Sequence, residues 1–269
     1  MASKAATRGI NTEHRLINSI NVMDELGKEI INFIQTSYGY NLLNCKARKG
    51  ESGSKTDIII SCDKVDTLLS VKAFDVTFDY NHLDRHFLDS YNETWNMPEK
   101  VYRAMKLYVG EVDIQGNPIS INEIETDAGL LNTSPGKLAK SRRKFLHRQD
   151  EESRRAVISY FKSNRDKILK SIFIADEDIK FFIIARREVN EVCYYIQPTE
   201  NIFSIYGTGD VSISNRGNIK FYKTTAQRKG GNSHTKQGWR DRTASHLQFK
   251  ISPSLCIKNL KPIFCESIQ

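Results

Sequence analysis

Ser52–Phe74 reads SGSKTDIIISCDKVDTLLSVKAF. A polar, glycine-containing turn over Lys46–Thr56 leads into Asp57-Ile58-Ile59-Ile60-Ser61, a short apolar run of the strand kind. Asp63-Lys64 punctuates it, and Thr67–Phe74 reads as a second strand. Residues two apart share a strand face, so Ser70 and Lys72 point one way while Val71 points into the core. Asp57, at the start of the adjoining strand, can meet them there. A carboxylate beside a lysine suits phosphodiester hydrolysis, which needs a cation to neutralise phosphate oxygens and a group that orients or deprotonates a water.

Upstream, Met23–Tyr38 repeats Leu26, Ile30, Ile31, Phe33 and Ile34 at helical spacing, with Asp24, Glu25 and Glu29 in the first half where the helix dipole favours acids. Downstream, helical stretches are expected over Leu83–Trp95 and Pro98–Val109. Gln115–Gly136 carries Gly116, Asn117, Pro118, Gly129, Pro135 and Gly136 and little periodicity, which predicts a linker. Beyond it come a helix over Asp150–Lys170 and strands at Ile172–Ile174, Phe181–Ala185 and Val192–Ile196. From Tyr206 onward, turn signals alternate with short strand-like runs rich in Lys and Arg. These elements predict an α/β fold: a mixed sheet flanked by helices, then a β-rich C-terminal lobe. The expected division is a catalytic domain at 1–114, a linker at 115–140 and a recognition lobe at 141–269.

The balance of 40 Lys+Arg against 32 Asp+Glu gives a net charge of +8 and a field that attracts polyanions, nucleic acid first. No apolar run approaches the roughly 20 residues that cross a bilayer, and the polar start MASKAATRGINTEH lacks a secretory apolar stretch. A cytoplasmic protein is expected, with no membrane partner. Cys45, Cys62, Cys193, Cys256 and Cys265 show no CxxC pair or zinc-ligand spacing, so reduced thiols are expected, with Cys265 reactive if exposed.

The order Thr56-Asp57, twelve residues, then Ser70-Val71-Lys72 resembles the PD-(D/E)XK nuclease motif. The motif alone is permissive. Ser52–Ile58, Ser70–Lys72, Asn81–His86 and Tyr91–Trp95 resemble, in order and spacing, the type II restriction endonucleases of the HinPI kind. Tyr206–Asp210, Arg216-Gly217, Gln227–Gly231 and Leu247–Lys250 extend that likeness over most of the chain. MspI is a more distant likeness, through the Asp57 segment and Gln248-Phe249-Lys250.

The resemblance implies a site-specific deoxyribonuclease of a restriction-modification system. It would use Mg2+ to cut both strands at a short GC-rich palindrome, GCGC-like, in unmethylated DNA. Asp57 and the Val71 carbonyl would hold the metal, and Lys72 would orient the water and stabilise developing charge. Ser70 departs from the pattern, which has Asp or Glu in the general motif and a neutral amide in the HinPI and MspI kinds. Ser70 is therefore expected to act through an intervening water, with Glu29 supplying the missing negative charge. Lys55 is a candidate contact to the scissile phosphate, and Asn81 and His82 are candidate duplex contacts in a turn before a helix begun by Asp84, Arg85 and His86.

Arg and Lys pair well with guanine, and glutamine both donates and accepts, so Gln227, Arg228, Lys229 and Gly230 suit a GC-rich site, with Gln248 and Lys250 sharing a strand face beside them. Asn232–Arg242 is longer than in the HinPI kind, which leaves Arg240 and Arg242 between base reading and phosphate contact. The expected partner is double-stranded DNA, cut by a monomer or, as the alternative, a dimer. No small-molecule substrate is expected, and the cognate methyltransferase would be paired in function without being bound. Two other readings are a structure-selective or repair nuclease and a sequence-specific DNA-binding protein whose nuclease centre has decayed, the latter prompted by Ser70.

Overall fold

The computed structural model describes residues 4–63, 65–75, 79–113, 115, 117, 121–135, 137–138, 144–175, 177–228 and 246–268. In chain order the elements are α1 (Lys4–Val22), α2 (Glu25–Tyr38), β1 (Lys46–Lys49), β2 (Ile58–Cys62), β3 (Val65–Asp75), β4 (Asn81–Phe87), α3 (Leu88–Trp95), α4 (Glu99–Val109) and α5 (Ile121–Leu130). A 3-10 turn at Leu146–Arg148 precedes α6 (Glu151–Ser163), α7 (Arg165–Ile174), β5 (Ile179–Arg187), β6 (Glu191–Pro198) and α8 (Thr199–Tyr206). The chain continues with β7 (Val211–Ile213), β8 (Ile219–Phe221), β9 (Thr224–Arg228), β10 (His246–Ile251), α9 (Ser254–Ile257) and β11 (Phe264–Ser267). A mixed α/β architecture is therefore present, as expected.

Two compact units form, and both are discontinuous in sequence. One comprises Met1–Asn81, Phe173–Tyr206 and Ser252–Gln269; the other comprises His82–Ile172 and Gly207–Ile251. These units cut across the expected division at 1–114, 115–140 and 141–269, because β5, β6 and β11 join the sheet begun by β1–β3.

In the first unit, the described strands form a six-stranded sheet in the order β1-β2-β3-β5-β6-β11. Every pairing is antiparallel except β3 with β5, which run parallel. Leu69, Val71, Phe181, Ile183 and Ala185 cluster on one face with Leu16 and Ile20 of α1 and Leu26, Ile30, Ile31 and Ile34 of α2. Helix α2 starts at Asp24, whose side chain accepts from the Gly27 N–H, the usual way to satisfy an orphan helix donor. The opposite face carries Phe182, set edge-on to Phe173, which in turn meets Phe203 and Tyr206. Strand β1 lies at the sheet edge, where Asn21 bonds both the N–H and the C=O of Ala47 at 2.8 and 2.9 Å, occupying backbone groups an edge leaves open.

The second unit holds a five-stranded sheet, β4-β10-β9-β8-β7 among the described strands. Its core is aromatic: Trp95 stacks on Tyr91 and meets Phe161 and Phe249 edge-on, and Phe221 meets Phe161 and Phe249.

Several local expectations are corrected. Helix α1 lies in the stretch read only as a polar start; its buried Leu16 and Ile20 are four apart, but too few apolar residues surround them to announce a helix. Asn81–Phe87 is strand, so Asp84, Arg85 and His86 do not begin a helix. Ile172–Ile174 ends α7 and is not a strand. The expected linker contains α5, which buries Ile124 and Ala128 at helical spacing between flanking breakers.

The cysteines are not all reduced: Cys45 is bonded to Cys62 and Cys193 to Cys265, leaving Cys256 as a buried free thiol. Each bonded pair is far apart in sequence yet adjacent across strands, with Cys193 directly opposite Cys265. No helix among the described residues is long and apolar enough to cross a membrane.

The contact of α1 with α2 is close at Gly27, where an added Cβ would sit 2.2 Å from the Ser19 carbonyl oxygen. Backbone cannot yield as a flexible side chain does. Gly27→Ala is therefore expected to lower stability by about 1–3 kcal/mol, read as a fall in the thermal midpoint.

Candidate active site

Asp57 sits one residue before β2, and its N–H donates to the Leu69 carbonyl of β3 at 2.9 Å. That backbone bond brings its side chain beside the middle of β3. Asp57 Oδ2 accepts from the Val71 N–H at 2.6 Å and from the Ser70 hydroxyl at 2.9 Å, and lies 3.5 Å from Lys72 Nζ. The Lys72 ammonium also donates to Ser70 Oγ at 2.8 Å and to the Val71 carbonyl at 3.0 Å. Ser70 is fully buried, whereas Asp57 and Lys72 keep 25% and 17% of their side chains exposed, so the cluster opens to solvent at one side.

Three oxygens of different chemistry thus converge on one cationic atom: a carboxylate, a hydroxyl and a backbone carbonyl. An all-oxygen set of this kind suits a hard divalent cation, with the ammonium marking where positive charge is stabilised. The residues present fit a metal. Asp57 and the Val71 carbonyl are the groups that would hold it. Ser70, however, donates its proton to Asp57 rather than offering a free carboxylate.

Glu29 is not brought to this cluster. It is exposed on α2, whose buried stripe packs on the Leu69/Val71 face, while Ser70 and Lys72 point to the other face. No described hydrogen bond or ion pair joins Glu29 to the trio.

The acidic residue that the sequence reading missed is Glu177. Its carboxylate accepts from the N–H groups of Lys55 at 2.6 Å and Thr56 at 2.7 Å, from the Ser54 hydroxyl at 3.0 Å and from the Thr56 hydroxyl. Partial burial pushes the acid up, but the Thr56, Lys55 and Ser54 donors outweigh it and hold it below the ordinary carboxylate range. Its only signal was the acidic run Asp176-Glu177-Asp178 between helix and strand, which reads as a solvated turn. Lys55 enters this arrangement through its backbone. Gly50 is required by the same turn, since a Cβ there would lie 1.9 Å from the Thr56 carbonyl oxygen.

In the second unit, β9 and β10 place Gln227 directly opposite Gln248, and Lys250 opposite Thr225. Lys220 also opposes Thr225, and Ser212 opposes Lys220, so one row of polar side chains runs across four strands. The other face of these strands buries Leu247, Phe249, Ala226, Ile219 and Phe221. Burial lowers the pKa of Lys250. Arg228 falls on the buried face, opposite Leu247, with its N–H donating to the Tyr108 hydroxyl at 3.2 Å. It does not share the Gln227 face. His82 is exposed on β4, and the Asn81 amide donates to the Ala73 carbonyl at 2.8 Å. Lys229, Gly230, Arg240, Arg242 and the Asn232–Arg242 segment lie outside the described residues.

Residues 128–257 match the model of the R.HinP1I restriction endonuclease family. The whole fold is similar to that of restriction endonuclease MspI, solved in complex with its cognate DNA, at a TM-score of 0.54 and 10% identity over 91% of this chain and 90% of that one. No curated protein matches in sequence. The family match covers just under half of the chain, and the likeness to MspI shows a shared fold. The matched stretch contains β5–β10 but not Asp57, Ser70 or Lys72, so the trio rests on its geometry. If the charge missing at Ser70 came from Glu29, neutralising it would slow cleavage. Glu29→Gln is instead expected to leave the rate across a divalent-metal titration within about twofold of wild type, as for an ordinary surface substitution.

Proposed function

We propose that the chain is a Mg2+-dependent type II restriction endonuclease that cuts both strands of DNA at a short GC-rich palindrome, GCGC-like, when the site is unmethylated. The observation that carries this reading is the meeting of Asp57 Oδ2, Ser70 Oγ, the Val71 carbonyl and Lys72 Nζ on adjacent strands. It occurs in a chain whose residues 128–257 match a restriction endonuclease family. The reaction would run in the cytoplasm, with one chain engaging the duplex and a separate methyltransferase protecting host sites.

Magnesium held by Asp57 and the Val71 carbonyl would neutralise non-bridging phosphate oxygens and acidify a water. The protein's own contributions are positional. Asp57 is fixed by the Val71 N–H and the Ser70 hydroxyl, so its carboxylate loses little freedom on meeting a cation. Lys72 presents its ammonium within the same few ångströms, where it can offset the negative charge that builds on phosphorus-bound oxygens. Ser70 bridges the two and is a positioning group. Asp57→Ala and Lys72→Ala are each expected to abolish cleavage while leaving specific binding in Ca2+ close to wild type. Full activity in either variant overturns the assignment.

For base reading, Gln227, Gln248 and Lys250 form one polar group on the β9–β10 face. A half-buried lysine with a depressed pKa gains most when an acceptor such as guanine or a phosphate replaces its lost hydration. Gln248→Ala is expected to relax discrimination at one base pair by about 1–3 kcal/mol, measured against a panel of single-mismatch sites. A phosphate contact would instead weaken all sequences alike.

The test of the whole reading is digestion of unmethylated plasmid with Mg2+, with chelator as control, followed by sequencing of the ends. Discrete bands with a common end sequence are the expected result. Smears or cuts only at branched DNA would favour a repair nuclease, and site-specific binding with no nicking would favour a decayed nuclease.

A further inference from the structure

We propose that Glu177 is a positioning residue whose carboxylate clamps the Ser54–Thr56 turn and thereby sets Asp57. The inference deepens the nuclease reading above and rests on it for the identity of the site. Four donors from three consecutive residues meet this one side chain: two backbone N–H groups and two hydroxyls. Glu177 Oε2 takes three of the four bonds. Hydrogen bonds to an ionised acceptor are roughly twice as strong as neutral ones, so few pairings could hold so short a turn as firmly.

The sheet order gives the clamp its reach. Glu177 lies just ahead of β5, and the turn lies just ahead of β2, with β3 between them. The clamp therefore bridges the two strands that flank Ser70, Val71 and Lys72. Apart from it, the turn is tied by the Ser54 N–H to the Glu51 carbonyl at 3.2 Å, the Gly50 N–H to the Asp57 carbonyl at 3.0 Å, and Ser54 Oγ, which accepts from the Thr56 N–H at 2.8 Å and lies 3.2 Å from the Thr56 carbonyl. Thr56 is the residue covalently attached to Asp57, so freedom at Thr56 becomes freedom at the carboxylate. Partners that orient a metal-ligating group change affinity or activity by about 10–100-fold when removed.

The test uses the full chain and its Glu177→Gln variant, with Ser54→Ala as a milder variant that removes one of the four donors together with the Ser54 Oγ contacts to the Thr56 N–H and carbonyl. Glutamine keeps the size but replaces one acceptor oxygen by an amide that faces N–H groups. Amide hydrogen exchange should show Lys55 and Thr56 protected in wild type and exposed in Glu177→Gln. Mn2+ binding without DNA, followed by EPR, should weaken about 10–100-fold, and the Mg2+ concentration for half-maximal cleavage should rise in parallel. Excess Mg2+ should restore part of the rate, unlike in Asp57→Ala, and metal-free DNA affinity should stay near wild type. Ser54→Ala should shift both metal readouts the same way, by less.

Unprotected Lys55 and Thr56 amides in wild type, or unchanged metal affinity in the glutamine variant, would overturn the clamp. So would loss of metal-free DNA affinity in step with activity, the mark of a purely structural residue. Should wild type show the protection and the Mn2+ shift yet fail to cut DNA, the clamp stands and the nuclease reading fails.

Discussion

The parallel ladder between β3 and β5 is the constraint from which the rest of the structure follows. Leu68–Asp75 pairs with Ile179–Arg187, about a hundred residues later in the chain. Parallel neighbours cannot be joined by a tight hairpin; the chain must leave the sheet and return. Here the departure after β3 is long enough to supply His82–Ile172, much of the second unit. The chain then comes back through β5 and β6, leaves again for β7–β10, and closes the first sheet with β11. Discontinuous units are thus a consequence of two strand pairings, β3 with β5 and β6 with β11.

That pairing also allots the two faces of β3. Leu69 and Val71 are committed to the α1–α2 core, so Ser70 and Lys72 necessarily face away from it. The site gains a rigid base because its backbone belongs to an interior strand, paired on both sides by β2 and β5. It also gains a restriction: the buried stripe of α2 packs on the Val71 face, away from Ser70 and Lys72. A hydroxyl at position 70 fits this arrangement. It shares its proton with Asp57 and accepts from Lys72, joining the two charged groups without adding a second buried negative charge, which would need its own partner.

The strand pair at 57–74 was readable because an alternating pattern and its turn are local. So was α2, from its apolar stripe and acidic start. Other features were hidden for physical reasons. Helix α1 has few apolar positions because the described part of its buried stripe is narrow, and α5 is obscured by the breakers that bound it. Ile172–Ile174 is apolar enough for either a strand end or a buried helix end, and periodicity over three residues cannot separate the two. Both disulfides depend on strand register across 17 and 72 residues. Glu177 was invisible for the same reason: its partners lie about 120 residues away, and an acid in a turn is ordinarily solvated.

Register matters equally for the second sheet. Leu247, Phe249 and Ile251 must be buried, and strand alternation then fixes Gln248 and Lys250 on the opposite face. A slip of one residue would turn Lys250 into the aromatic core and Phe249 out of it, at a cost that this core makes prohibitive. The polar row from Ser212 through Lys220 and Thr225 to Lys250, with Gln227 and the buried Gln248 beside it, is therefore fixed by the packing of the opposite face. Arg228 shows the converse. It stands next to Gln227 in sequence and would join it in any reading by neighbourhood, yet alternation turns it to the buried face. A surface built this way can change its polar residues one by one while the core strands keep their register, so specificity can vary on this fold without loss of the scaffold.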